Sequence, residues 1–127
     1  MPQPLPLRSE LPADDATVVV RTGVMSVLSM ARAAERTFQL YAVHGISVEA
    51  VIDTTVQEAC RGHRIVSYRQ IRLSSFGRLR SAGFTLLATF DHPHFTLVLA
   101  DASELTLVRL DGCFDAPIPN PGRAPGG

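Results

Sequence analysis

The chain contains no lysine and no tryptophan, only two cysteines and two tyrosines, and no acidic residue between positions 59 and 90. Without lysine, a Walker-type phosphate loop, a Schiff-base enzyme and a lysine general base are all excluded. Cys60 and Cys113 are too few for a disulfide framework, and a chain that is 46% hydrophobic has no need of one. No apolar run approaches the ~18 residues that a membrane-spanning helix requires. The front lacks the basic-then-apolar pattern of a secretory signal, because residues 1–12 alternate proline with Leu5, Leu7 and Leu11. These absences lead to the expectation of a cytoplasmic protein with reduced thiols and no membrane partner.

What is present suits one small domain. A length of 127 residues leaves room for a single hydrophobic core. Eight of the nine prolines lie in residues 2–12 and 117–125. Each fixes φ and lacks an N–H, so residues 1–15 and 115–127 read as flexible tails around a domain at 16–114. Inside that domain the apolar period alternates between strand and helix. The β-branched run at 17–21 predicts a buried strand, and 26–44 a helix with Ser26 as its N-cap and Gly45 as its stop. Residues 46–52 predict a strand, and 55–61 a short helix in which Thr55 and Glu58 have capping-box spacing. A strand at 68–73 and a short helix at 75–82, ended by Gly83, come next. Two strands at 84–90 and 95–99, joined by Asp91-His92-Pro93-His94, predict an antiparallel hairpin. Ser103 caps a last helix that stops at Gly112. The fold class is therefore α+β (mixed α/β), a single two-layer domain with a hairpin in its C-terminal half.

The net charge of zero conceals a block structure. Residues 1–58 carry −3, residues 59–90 carry +6, and residues 91–127 carry −3. The middle block holds Arg61, Arg64, Arg69, Arg72, Arg78 and Arg80, with Tyr68 among them and Ser74 and Ser75 where a helix begins. Guanidinium forks suit phosphate oxygens, a tyrosine ring offers a stacking face, and a helix N-terminus favours an anion. These nine residues are the candidate anion-binding set, with RNA or an acidic protein as the partner. The same arginines could instead pair with acids of the two flanking blocks, and on a strand Arg69 and Arg72 face opposite ways.

Three further patterns carry chemistry. Cys60-x-x-His63 and His92-x-His94 offer four zinc-type ligands, but their spacing is looser and poorer in cysteine than structural zinc sites show. Neither a metal nor a cofactor is implied. His94-Phe95-Thr96-Leu97 resembles the His-x-Thr/Ser motif of the two-histidine phosphoesterases, which implies a histidine and a hydroxyl on one strand face holding a phosphodiester. That family uses two such motifs, and this chain has one. Arg21 at the end of one strand and Ser47 on the next resemble the start of an ADP-ribosyltransferase core. The resemblance implies Arg21 on a dinucleotide phosphate and Ser47 at the nicotinamide pocket, with Tyr41 or His44 nearby. Its late catalytic acid would have to be Glu104, which falls at a helix start. The stretch from Ile71 to Phe84, with Pro93-His94, also resembles a group of small proteins of high-GC bacteria, which makes a toxin–antitoxin type of role plausible without naming an activity.

Three function classes follow. The first is a binder of RNA or another phosphate-bearing ligand through the arginine block, as one half of a toxin–antitoxin-like pair. The second is an enzyme on nucleotides or nucleic acid, with Arg21, Ser47 and His94 as the catalytic candidates. The third is a non-catalytic protein-interaction module.

Overall fold

The computed structural model describes residues 2–20, 26–52, 54–62 and 65–123. In chain order these form β1 (Thr17–Val20), α1 (Val27–Tyr41), β2 (Gly45–Ala50), α2 (Val56–Cys60), β3 (Gln70–Ser75), α3 (Phe76–Ser81), β4 (Thr85–Ala88), β5 (His94–Val98), α4 (Glu104–Asp111) and β6 (Ile118–Pro119). A single 3₁₀ turn at Pro121–Arg123 closes the described chain. The α+β class and the order of elements up to α4 are as the sequence predicts, and β6 is additional. No helix among the described residues is long and apolar enough to cross a membrane.

The helices start where their caps place them. Ser26, Thr55, Ser75 and Ser103 each accept a hydrogen bond from the backbone N–H three residues on, at Ser29, Glu58, Arg78 and Thr106. Each such cap is worth about 1 kcal/mol. The end of α1 departs from expectation. The chain leaves the helix at Ala42, in the left-handed region with φ 58°, and not at Gly45. Gly45 instead opens β2, where a Cβ would lie 2.5 Å from Thr96 Cγ2. Its glycine character therefore serves a close contact between strands and not a helix stop.

The six strands form one sheet in the order β4-β5-β2-β1-β3-β6, with every pairing antiparallel. Period-two alternation sorts side chains between the two faces. Val18, Val20, Ile46, Val48, Phe95 and Leu97 join Met30 and Ala34 of α1, Phe76 and Leu79 of α3, and Leu107 and Leu110 of α4 in the main core. On the opposite face Val19 and Ile71 pack with Cys60 and Ile65 in a smaller cluster. A one-residue slip of β1 would exchange Val19 with Val18 and Val20 and disrupt both clusters, so the register is strongly specified.

The proline-rich ends are tied to the sheet. Gln3 N donates to Leu40 O, Arg8 N to Ala88 O, and Phe90 N to Pro6 O, and Leu7 bridges Thr89. At the other end Ile118 pairs with Ile71 on the sheet edge. Proline lacks a donor but keeps its carbonyl, and an edge strand needs donors on one side only, so alternating prolines still permit these contacts.

One charged residue organises the side of the domain under α4. Arg72 is only 8% exposed, on the face that β3 turns toward α4. Its guanidinium pairs with the Asp111 carboxylate and donates to the carbonyls of Asp111, Phe114 and Asp115. Beside it Ser74 Oγ donates to Cys113 O at 2.6 Å. Replacing Arg72 by alanine leaves three carbonyls without their donor and the half-exposed Asp111 carboxylate without its partner, and is expected to cost about 3 kcal/mol. Arg78→Ala, which breaks an exposed pair to Asp115, is expected to cost less than about 1 kcal/mol. Urea denaturation of the two variants measures the difference.

Candidate functional site

The arginine block is largely committed within the fold. Arg61 pairs with Glu58 at 2.7 Å, Arg78 with Asp115 at 2.9 Å and Arg80 with Asp14 at 3.0 Å, while Arg72 is the buried hub under α4. Ser74 and Ser75 spend their hydroxyls on Cys113 O and on the α3 cap. Arg69 and Tyr68 are exposed, and Arg69 makes no ion pair among the described residues. Arg64 lies outside the described residues, as do Arg21 and His63.

A cleft of about 560 Å³ opens between α1 and the β2–β5 part of the sheet. Its floor is Val20, Met30, Gly45, Ile46 and Thr96, all buried. Tyr41 from α1, Tyr68 from the turn before β3 and Phe90 from the β4–β5 connection bring three aromatic rings to it. Ser47, Thr37 and Thr96 also line it, the two threonines with Cγ2 toward Gly45 and their hydroxyls bonded to Ala33 O and Thr89 Oγ1, and Arg36 of α1 is the single charged lining residue among the described residues. Arg36 makes no ion pair among the described residues. The cleft therefore gathers Ser47 and Tyr41, singled out on β2 and α1, with Tyr68 of the anion-binding set. Glu104 is at the start of α4 and is not in the lining.

Remote residues build the walls. Asn120, buried just after β6, donates through Nδ2 to Ile65 O at 3.0 Å and to Tyr68 O at 2.8 Å. Its Oδ1 accepts from Gly122 N at 2.9 Å. This holds the turn that presents Tyr68. Phe90 has φ 54°, a left-handed conformation that costs a bulky residue roughly 1–2 kcal/mol. Its N–H donates to Pro6 O, and its carbonyl accepts from Arg8 Nη1, which also serves the carbonyls of Thr89 and His94. The segment carrying Arg8 also contributes Leu5 to the cleft. Sequence reasoning singled out none of Arg8, Arg36, Thr89 and Asn120. The only local signal was the Pro-Asn-Pro-Gly turn around Asn120.

No family model, no curated protein and no solved structure matches the chain.

The remaining candidates separate. His94 and Thr96 share one face of β5, as the phosphoesterase-like motif implies, but both are buried and joined through Thr89. His92 is exposed and bonds Glu10 at 2.7 Å. Cys60 is fully buried, and burial with the nearby Glu49 charge pushes its thiol up to about 11, far from a reactive thiolate. Cys113 is also raised by burial. Among the described residues no three side chains of metal-ligand type form a cluster.

Glu10 joins Arg8 and His92. Burial alone would raise its pKa, but hydrogen bonds from Arg8 and His92 outweigh that and hold it below 4.5. A carboxylate with a depressed folded pKa contributes stability that is present above its unfolded value and lost as pH falls through the folded one. The docking of residues 3–10 is therefore expected to weaken as pH falls through the lowered pKa of Glu10, by about 1 kcal/mol or less for a partly exposed cluster. Amide exchange at Arg8 and Phe90 measures it, and Glu10→Gln should remove the acid-dependent part.

Proposed function

We propose that the protein binds a small phosphate-bearing ligand with an aromatic body, of the size of a nucleotide, in the cleft between α1 and the sheet. The supporting observation is the convergence of Tyr41, Tyr68 and Phe90 on one concavity where, among the described residues, Arg36 is the single charged lining residue and has no acidic partner. Small-molecule sites are concavities of roughly 300–1,000 Å³, mostly apolar, with a few polar groups that fix orientation. A guanidinium supplies a charge-assisted fork for phosphate oxygens, and the aromatic rings supply faces for stacking. The arginine block contributes to this reading through Tyr68 and the neighbouring Arg69, its other described members being engaged by acids.

Binding is favoured over catalysis by the lining itself. It holds hydroxyls and one guanidinium, and no carboxylate or imidazole among the described residues. General acid–base chemistry needs a group that titrates near the working pH. Ser47 stands where the transferase-like resemblance would use it, so a hydroxyl-centred enzyme is the second reading.

Calorimetric titration with the nucleoside 5′-monophosphates tests the proposal. Arg36→Ala is expected to weaken binding about ten- to a hundredfold, the scale of a charge-assisted hydrogen bond. Ala33→Phe, on the cleft-facing side of α1, should abolish binding by occupying the space. Binding that survives Ala33→Phe, or that is lost instead with Arg61→Ala and Arg78→Ala, would return the site to the arginine block. Capture of RNA or of an acidic protein, unaffected by Ala33→Phe, would overturn the cleft in favour of a macromolecular partner.

A further inference from the structure

The front of the chain links two walls of the cleft. Gln3 N donates to Leu40 O on α1 at 2.8 Å, Leu5 lines the cleft, and Pro6 O accepts from Phe90 N at 3.1 Å on the other side. Leu40 and Phe90 are themselves lining residues, so residues 3–6 run from one wall of the concavity to another. Arg8 fastens the far end. Its N–H donates to Ala88 O, and its guanidinium donates to the carbonyls of Thr89, Phe90 and His94.

Directed polar contacts hold this strap, with little apolar burial behind them. None of residues 2–11 is buried, and all but Leu5, Arg8 and Glu10 are exposed. Leu7, which bridges Thr89, keeps 66% of its surface open. A segment held in this way opens locally well before a domain unfolds. The backbone of Phe90 works against docking. At φ 54° a bulky residue occupies the left-handed region that L side chains disfavour. Both backbone hydrogen bonds of that residue go to the strap, its N–H to Pro6 O and its carbonyl to Arg8. In this conformation its ring lines the cleft, edge-on to Tyr41 with centroids 5.8 Å apart.

We propose that docking of residues 3–8 and the left-handed conformation of Phe90 are one switch, and that this switch completes the cleft. Docked, the strap places Leu5 and the Phe90 ring in the lining. Released, it withdraws Leu5 and both backbone partners of Phe90, whose φ returns to a favoured region and carries the ring away from Tyr41. A ligand that touches Leu5 or Phe90 binds the docked state more tightly, and by linkage it holds the strap down by the same factor. That last step rests on the cleft reading above, whereas the switch is a property of the protein without ligand.

Amide exchange on the full unliganded chain tests the switch by comparing Phe90→Gly with Phe90→Ala. Neither variant carries the ring, and they differ in how readily residue 90 adopts positive φ. Exchange is read at the Gln3 N–H, whose acceptor lies on α1 and not on the β4–β5 connection. Gln3 is expected to be about fivefold better protected in Phe90→Gly than in Phe90→Ala, the scale of the left-handed penalty. Equal protection in the two, or better protection in Phe90→Ala, overturns the switch. Arg8→Ala gives the reverse arm. It is expected to lose both the protection at Gln3 and the Phe90–Tyr41 ring contact, read as a nuclear Overhauser effect, while the amides of β2 stay protected. Protection at Gln3 that survives Arg8→Ala, or a ring contact that outlasts it, overturns the switch. If Arg8→Ala fails to fold, the two Phe90 variants decide alone. Titration with AMP is expected to raise protection at Gln3 in the natural protein, and a folded Arg8→Ala to bind AMP about tenfold more weakly. AMP binding that leaves Gln3 unchanged overturns the link between strap and cleft. Absence of AMP binding counts against the cleft reading, and the exchange comparison then decides the switch on its own.

Discussion

A buried guanidinium sets the geometry on which the rest of this domain depends. Arg72 faces inward from β3, and a cation there is tolerable only where acceptors surround it. The chain provides them from one place, the end of α4 and the stretch that follows, through the Asp111 carboxylate and three carbonyls up to Asp115. That arrangement holds α4 against the sheet and directs the chain back along β3. Ile118 can then pair with Ile71, and Asn120 is delivered beneath the turn at 65–68. Tyr68 reaches the cleft as the last step of this sequence of constraints.

The cleft combines three environments that small ligands exploit separately. Aromatic rings offer area and stacking, Arg36 offers charge, and Ser47 offers a hydroxyl. Its walls come from segments far apart in the chain, including the front segment held by Arg8. The positive φ of Phe90 shows how much that segment contributes. A bulky residue is kept in a disfavoured conformation by hydrogen bonds at both its N–H and its carbonyl. The proline content of residues 2–12 is compatible with this, since proline carbonyls still accept and a restricted chain has less entropy to lose on docking.

Much of the architecture was legible in the residues. Serine or threonine at each helix start, β-branched runs, and a short polar turn between two apolar strands are local signals with local causes. Gly45 shows the limit of that approach. As a residue after a helix it reads as a stop, but the contact that requires glycine is with Thr96, about fifty positions away. The arginine block shows the limit in charge. A run of six arginines without an acid is visible in the sequence, but the acids that answer it, Asp14, Glu58, Asp111 and Asp115, lie in the flanking blocks.

Helix and strand depend on neighbours within a few positions, so the sequence by itself determined the order of elements, the caps and the α+β class. Ser47, Tyr41 and Tyr68 could be singled out one at a time from residue type and spacing. Their meeting in one cleft, the commitment of Arg72 to the interior, and the burial of His94 behind Thr96 were decided only by the tertiary structure. Each depends on pairing between strands distant in the chain, and no local pattern specifies which distant partner a side chain will meet.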